Sequence, residues 1–332
     1  MFFINGTGTE KVSEKTIWVL TDDRAGNNSQ SVGLAGAIGG EVVIKEIRYN
    51  KMIFLPNVFR GASGIGVRKE CLEALKPPFP DYAIAAGRRA APVLRLIKKM
   101  SGGKTKIVQI MFPGRIGLDD YDAVVLPEHD GFTEKRPNVI RVVGAPNKIT
   151  PERLAAEKAA WAERFADMPK PRVALIVGGA TKDKPFTVDM AKDLAQKTVA
   201  FASRVGAGSL LVTTSRRTGA EQEKALKEAL PDPKYFYGWG AGGENPYFGF
   251  LASADYIVVT GDSVSMCSES CVADAPVLIY APEGSVGKKH ALLHAELYEG
   301  GYAQPLTDDA KPLPHKRLCA AAEAAKAVLE KE

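Results

Sequence analysis

Tyr256-Ile-Val-Val-Thr-Gly-Asp-Ser-Val-Ser-Met-Cys-Ser-Glu-Ser-Cys271 carries the pattern that decides the fold. Residues 256–259 form a short β-branched apolar run of the length of a buried strand. Thr260, Gly261, Asp262 and Ser263 make a small polar turn, and beyond Val264 the chain reads as a helix. Strand, polar turn and helix form the repeating unit of a parallel sheet, because parallel strands need a long crossover to return to the same end. The unit recurs upstream. Residues 173–177 lead into Gly178-Gly179-Ala180-Thr181 and a helix near 187–203, and residues 210–213 lead into Thr214-Ser215-Arg216-Arg217-Thr218-Gly219 and a helix near 219–229. Further strands at 235–237 and 277–280, with a helix near 288–298, complete the series.

The N-terminal half follows the same rhythm, with strands at 17–21, 42–47, 82–86, 107–111, 123–126 and 139–143 and helices near 28–38, 65–76 and 89–100. In the last of these Ala90, Val93, Leu94 and Ile97 fall at helical spacing, and Lys98 and Lys99 suit its C-terminus. A proline-bounded junction at 144–151 leads into an amphipathic helix near 152–166, and Pro169 and Pro171 precede the second strand set. A chain of 332 residues suits two domains of roughly 150 residues each. The expected fold is α/β: two Rossmann-like, doubly wound parallel-sheet domains facing a cleft. The expected divisions are a leader at 1–15, an acceptor domain at 16–150, a donor domain at 151–310, and a C-terminal helix at 311–332 packing back toward the first domain.

Hydrophobic residues make up 45% and charged residues 25%, the balance of a globular protein with a sizeable interior. The net charge of +5 arises from 44 basic and 39 acidic residues without a polybasic tail, which suits anionic substrates or a membrane surface and does not call for nucleic acid. Four cysteines form no CxxC set and no signal peptide is visible, so the expected compartment is the cytoplasm, in association with the inner face of its membrane.

Ligands of parallel sheets sit beyond the carboxyl ends of the strands, where helix N-termini converge. Three turns of the C-terminal half are therefore candidates for holding phosphate: Gly178, Gly179 and Thr181; Ser215, Arg216 and Arg217; and Gly261, Asp262, Ser263 and Ser265. Glycine lets a backbone approach a phosphate closely, and arginine grips its oxygens in a fork. Each turn taken singly also reads as a tight turn or N-cap, and Ser263 is a natural cap. Six residues beyond Ser263, Glu269 is placed to accept both hydroxyls of a ribose; alternatively it is a solvated glutamate.

Asn245-Pro-Tyr-Phe-Gly-Phe-Leu-Ala252, the Val258–Met266 string, Ala275-Pro-Val277, Trp18-Val-Leu-Thr-Asp-Asp-Arg-Ala-Gly-Asn-Asn-Ser-Gln30, Ala86-Gly-Arg-Arg-Ala-Ala-Pro92, Pro127-Glu-His-Asp130 and Thr213-Thr-Ser-Arg-Arg-Thr-Gly219 together resemble the bacterial and plant mitochondrial-fission (elongated-mitochondria) family, over about residues 16 to 300. The resemblance implies a shape similar to glycosyltransferase-B (GT-B) proteins, in which a helical glutamate, matched by Glu269, meets the donor ribose and Ser263 and Ser265 match the phosphate turn. It also implies an alternative, because the plant member is described as recruiting a dynamin-related protein: a non-catalytic peripheral scaffold. The expected reaction is metal-independent transfer of a sugar from a nucleotide diphosphate-sugar to a glycan or lipid-linked acceptor in envelope synthesis, with no other cofactor. The first turn lacks GxGxxG and no YxxxK pair occurs, which speaks against sugar epimerases.

Transfer needs a base for the acceptor hydroxyl. Asp23 is the first candidate, followed by His129 and Glu128. Asp22, Arg24, Asn28, Arg88 and Arg89 are expected to bind the acceptor, although Asp22, Asp23 and Asp130 also suit capping roles. His290 and His294 lie i, i+4 without the glutamate of HExxH, and Asp120-Tyr-Asp122 spells a DxD just before a strand, so neither is taken as a metal site. Residues 49–69 mix apolar and basic side chains, as a loop docking on anionic lipid would; core packing of the same residues is the alternative.

Overall fold

The computed structural model describes residues 15–331, so the expected leader lies, but for Lys15, outside the described residues. Contacts divide the chain into two compact units. One holds the residues up to Val125, Arg136–Ile140 and those from Ala325 on; the other holds Leu126–Lys135 and Arg141–Ala324.

The first unit opens with β1 (Thr16–Thr21), α1 (Ala25–Ile38) and β2 (Glu41–Glu46), followed by the short helices α2 (Asn57–Arg60) and α3 (Lys69–Glu73). It continues through β3 (Tyr82–Ala86), α4 (Ala91–Met100), β4 (Lys106–Ile110), β5 (Ala123–Pro127) and β6 (Val139–Val142). The sheet order is β2-β1-β3-β4-β5-β6, so strand order reverses between β1 and β3. All five residues of β3 are buried, as a strand covered on both faces requires, while edge strand β2 exposes Val42 and Ile44. The helix expected at 65–76 shrinks to α3. Gly66 sits at φ +87°, and a Cβ there would stand 2.9 Å from the Ile53 amide nitrogen, so the chain crosses residues 52 and 53 in a conformation that no helix can use.

The second unit begins with α5 (Pro151–Trp161), β7 (Arg172–Ile176), α6 (Val188–Arg204), β8 (Ser209–Thr213), α7 (Ala220–Ala229) and β9 (Lys234–Tyr237). It goes on through α8 (Tyr247–Ser253), β10 (Tyr256–Thr260), α9 (Val264–Ser270), β11 (Val277–Tyr280), α10 (Lys288–Glu299) and β12 (Gln304–Pro305), and α11 (Ala320–Leu329) closes the chain. The order β12-β11-β10-β7-β8-β9 is parallel throughout and matches that of dinucleotide-binding sheets, with its reversal between β7 and β10. Val173, Leu175, Leu210, Val212, Val258 and Leu278 on the strands pack against Leu194, Phe201 and Leu226 on the helices, and Cys267 and Cys271 are buried in the same unit.

Three elements went unread in the sequence, the four-residue helix α2 among them. Strand β12 spans only two residues, and α8 is a seven-residue helix in an aromatic-rich stretch without helical periodicity. Packing sets α8: Phe250 meets Phe165 and Tyr235, each with ring centroids 5.6 Å apart, and Phe165 stacks on Trp161 at 5.4 Å. Gly249 is required there, since a Cβ would stand 2.5 Å from the Trp161 indole. The last helix starts later than expected, because the Lys316 and Leu318 amides donate to the carbonyls of Gly301 and Cys271 instead of to a helical turn.

Candidate functional site

Where the second sheet reverses its order, the carboxyl ends of β7 and β10 lie side by side and run into the two glycine turns. Gly178 N–H donates to Thr260 Oγ1 at 2.7 Å and Gly179 N–H to Asp262 Oδ2 at 3.0 Å. The turn after β8 locks onto the first: Ser215 Oγ and Thr218 Oγ1 donate to the Gly178 carbonyl at 2.5 and 2.6 Å, and Ala180 N–H donates to the Arg217 carbonyl at 2.9 Å. A Cβ on Gly178 would stand 2.3 Å from Asp262 Oδ2, and one on Gly179, at φ +144°, would stand 2.1 Å from the Arg217 carbonyl oxygen. Close approach is thus the reason for both glycines, but what approaches them is the neighbouring turns. Their amides, expected to face a phosphate, are occupied within the shelf.

The charge on this shelf is cationic. Arg217 Nη1 pairs with Asp262 Oδ2 at 2.7 Å and donates to the Ala180 carbonyl at 3.1 Å, while Arg216 and Lys182 are exposed. Thr181 is half-buried, its amide bonded to the Lys184 carbonyl. Ser263 caps α9, accepting from Met266 N–H at 3.3 Å. With seven residues α9 offers a small dipole, so the guanidinium groups supply more of the positive field than the helix start does.

Ser265 and Glu269 lie one turn apart on a face of α9. Glu269 is 9% exposed and accepts a hydrogen bond from Tyr247 Oη at 2.7 Å. Burial, then the negative charge of Glu269, pushes the ionisation of Tyr247 far up, so its hydroxyl stays a donor. Behind the turn, His294 Nε2 lies 2.9 Å from the Gly261 carbonyl. Burial holds the His294 pKa down to about 4, so at neutral pH the ring is uncharged and Nε2–H is the donor to that carbonyl. Burial also lowers the pKa of His290. The i, i+4 histidine pair thus includes a brace for the Gly261 turn.

In the first unit, the turns after β1 and β3 meet at that sheet's reversal. Asp23 Oδ1 pairs with Arg89 Nη1 at 2.8 Å, and the Asp23 side chain is mostly exposed. Asn28 Oδ1 accepts from Asp22 N–H at 2.9 Å and its Nδ2 donates to the Asp22 carbonyl at 2.8 Å, while Asp22 Oδ1 accepts from Arg24 N–H at 2.9 Å. Asn28 therefore shapes the turn. Arg24 and Arg88 are exposed, and the Arg88 carbonyl accepts from Asn57 Nδ2 at 3.0 Å. A recess of about 850 Å³ is lined by Asp22, Asp23, Tyr49, Arg68 and Arg89 among others.

Glu128, His129 and Asp130 follow β5 but group with the second unit, against α10. Lys289 pairs with Asp130. His129 is 2% exposed; neither ring nitrogen is hydrogen-bonded, and Glu296 Oε2 lies 3.6 Å from Nδ1. Burial pushes His129 down to about 4 and Glu296 up to about 7, so both tend to their neutral forms. That burial withdraws His129 from the candidate bases; Glu128 is exposed. The DxD carboxylates are held by α4, Asp120 by Arg95 at 2.6 Å and Asp122 by Lys98 at 2.8 Å.

Sequence reading missed Tyr247, His294 and Trp239. The first two act through contacts distant in sequence. Trp239, 61% exposed, follows β9 in a glycine-rich loop, and its N–H donates to Thr214 Oγ1 at 2.8 Å, beside the turn after β8. The glycines were the available signal.

Two Rossmann-like units, each with a six-stranded parallel sheet, define a protein of the GT-B-like class. The chain belongs to the mitochondrial fission ELM1 family, whose pattern matches residues 25–331. It is 30% identical over 323 residues to the uncharacterized protein RP120 of Rickettsia prowazekii, a match covering 85% of this chain and 88% of that one. It is also 30% identical over 221 residues to the mitochondrial fission protein ELM1 of Arabidopsis thaliana, covering 60% of this chain and 51%, about half, of the plant protein. Among solved structures, the UDP-GlcNAc 2-epimerase of Methanocaldococcus jannaschii, in complex with UDP-GlcNAc and UDP, superposes with a TM-score of 0.52 at 12% identity, covering 95% of this chain and 99% of that one. At that identity the likeness is one of fold. Neither it nor the missing GxGxxG and YxxxK motifs assigns a reaction.

Proposed function

We propose that the second unit binds a nucleotide diphosphate-sugar at the reversal between β7 and β10. The interlocked shelf of three turns, with Arg216, Arg217 and Lys182 on it, carries the reading. The diphosphate lies against these cations, and Glu269, held in place by Tyr247, accepts the ribose hydroxyls. The fold's neighbour in complex with UDP-GlcNAc and UDP supports a ligand of this class. On this reading the protein transfers the sugar to a glycan or lipid-linked acceptor in envelope synthesis. The guanidinium groups meet the charge that develops on the leaving diphosphate, so the step proceeds without a metal ion. Asp23, exposed beside Arg89, serves as the base, and Arg24, Arg88 and Arg89 receive an anionic acceptor.

A second reading, a non-catalytic recruiting protein with the same fold, draws on the name of the plant relative, a mitochondrial fission protein. It also draws on the glycine amides of the shelf, which are satisfied without a ligand. A thermal-shift screen of UDP-, GDP-, ADP- and CMP-linked sugars separates the two. Transfer requires that at least one class stabilise the wild type and that Arg217→Ala lose the effect; stabilisation by none of them leaves the recruiting protein.

A further inference from the structure

Residues 47–69 hold Arg48, Lys51, Arg60, Arg68 and Lys69 and not one Asp or Glu. Core packing was the alternative for the apolar residues among them, and the structure leaves most of them outside. Met52, Phe54, Leu55, Val58, Phe59 and Ile65 are exposed, Phe54 by 78% and Phe59 by 72%, and they make up six of the 13 exposed large apolar residues among those described. Singly exposed apolar residues are ordinary; this many within 14 residues form a patch.

The segment is built to hold them there. Arg60, 2% exposed, donates from Nε to the Ile65 carbonyl at 3.1 Å, from Nη1 to Asn57 Oδ1 at 3.2 Å and from Nη2 to the Arg89 carbonyl at 3.0 Å. Asn57 Nδ2 reaches the carbonyls of Arg88 and Pro113 at 3.0 and 3.1 Å. A buried guanidinium tying together a segment whose phenylalanines face outward is the reverse of hydrophobic burial, and its cost needs a compensating use of the apolar face. Lys51, Arg68 and Lys69 are exposed near the patch, and Lys51, Phe54 and Arg68 also line the 850 Å³ recess with Arg89. Among the described residues no helix is long and apolar enough to cross a membrane.

We infer that residues 51–69 dock on an anionic lipid bilayer, the phenylalanines entering the headgroup boundary and Lys51, Arg68 and Lys69 meeting lipid phosphates, with the recess beside the bilayer surface. The test is co-sedimentation of the full chain with vesicles of phosphatidylcholine, with and without phosphatidylglycerol. Binding is expected to need phosphatidylglycerol and to weaken with salt. It should fall by more than tenfold in Phe54→Ser/Phe59→Ser and by about fivefold per removed cation in Lys51→Gln/Arg68→Gln. Leu313→Ser, an exposed leucine of the other unit, serves as control and should bind as wild type. All four proteins are compared at matched melting temperatures. Wild type that ignores anionic vesicles, or a phenylalanine variant that binds them undiminished, overturns the inference. So does a wild-type dimer that the phenylalanine variant dissolves while vesicles stay unbound, which would make the patch a contact between copies. Nucleotide binding is read in a separate titration, so either proposal can fail without the other.

Discussion

Replacing Glu269 by Gln isolates the ribose contact. Tyr247 donates to Oε2, and an ionised carboxylate, with about four lone-pair sites over its two oxygens, accepts from more than one donor, as binding of the ribose hydroxyls requires. A hydrogen bond to a charged acceptor is worth about 1.5–3 kcal/mol and one between neutral groups about 0.5–1.5 kcal/mol. Glutamine keeps one acceptor oxygen, now neutral, and loses the other, so one bond disappears and one weakens. The expected loss of about 2–4 kcal/mol raises the dissociation constant by about 30-fold to nearly 1000-fold. Tyr247 can still donate to the amide oxygen, so the melting temperature should change little. The assay is calorimetric titration of wild type and Glu269→Gln with the nucleoside diphosphate that binds best and with its 2′,3′-dideoxy analogue. If Glu269 holds the ribose, removing the hydroxyls and removing the carboxylate should be strongly non-additive. Equal affinity of the two proteins, or simple additivity of the two changes, refutes the assignment.

Gly179→Ala should destabilise the second unit by about 3–5 kcal/mol in urea unfolding, since the Cβ displaces the turn after β8 together with three hydrogen bonds and adds positive-φ strain; a loss within experimental error would mean that the shelf is not interlocked. Trp18 and Trp161 are buried and Trp239 is exposed beside the shelf, so nucleotide should quench intrinsic fluorescence in wild type and not in Trp239→Phe; an equal response in both places the ligand elsewhere. Glu296 has a folded pKa raised to about 7 from 4.5, so the stability it contributes is present below about pH 4.5 and lost as pH rises through about 7. Glu296→Gln should therefore gain melting temperature over wild type progressively from about pH 4.5 and level off above about 7, and a pH-independent difference would contradict the burial of that carboxyl.

Strands and turns of the second unit were legible because buried parallel strands must be short, apolar runs punctuated by polar turns, and all the candidate phosphate turns follow such runs at 173–177, 210–213 and 256–259. What the turns do with their amides was not legible. The bonds from Gly178 to Thr260 and from Gly179 to Asp262 join residues more than 80 apart, and no local pattern encodes them. Glu269 was singled out by its distance from a turn, but its partner Tyr247 sits on α8, whose place is set by Trp161 and Phe250 and not by helical spacing. Likewise the Glu128-His129-Asp130 turn read as a strand end open to an acceptor, and packing on α10 buries the histidine. For residues 49–69 composition left docking and core packing open, and exposure of Phe54 and Phe59 decided against the core.

The proposed site of the nucleotide diphosphate is the shelf of the second unit. Hydrogen–deuterium exchange of the full chain, with and without the nucleotide-sugar that stabilises it most, tests that placement directly. Slowed exchange is expected in residues 214–219 and 261–269. Exchange unchanged in both segments, or slowed only in the first unit, would contradict the placement.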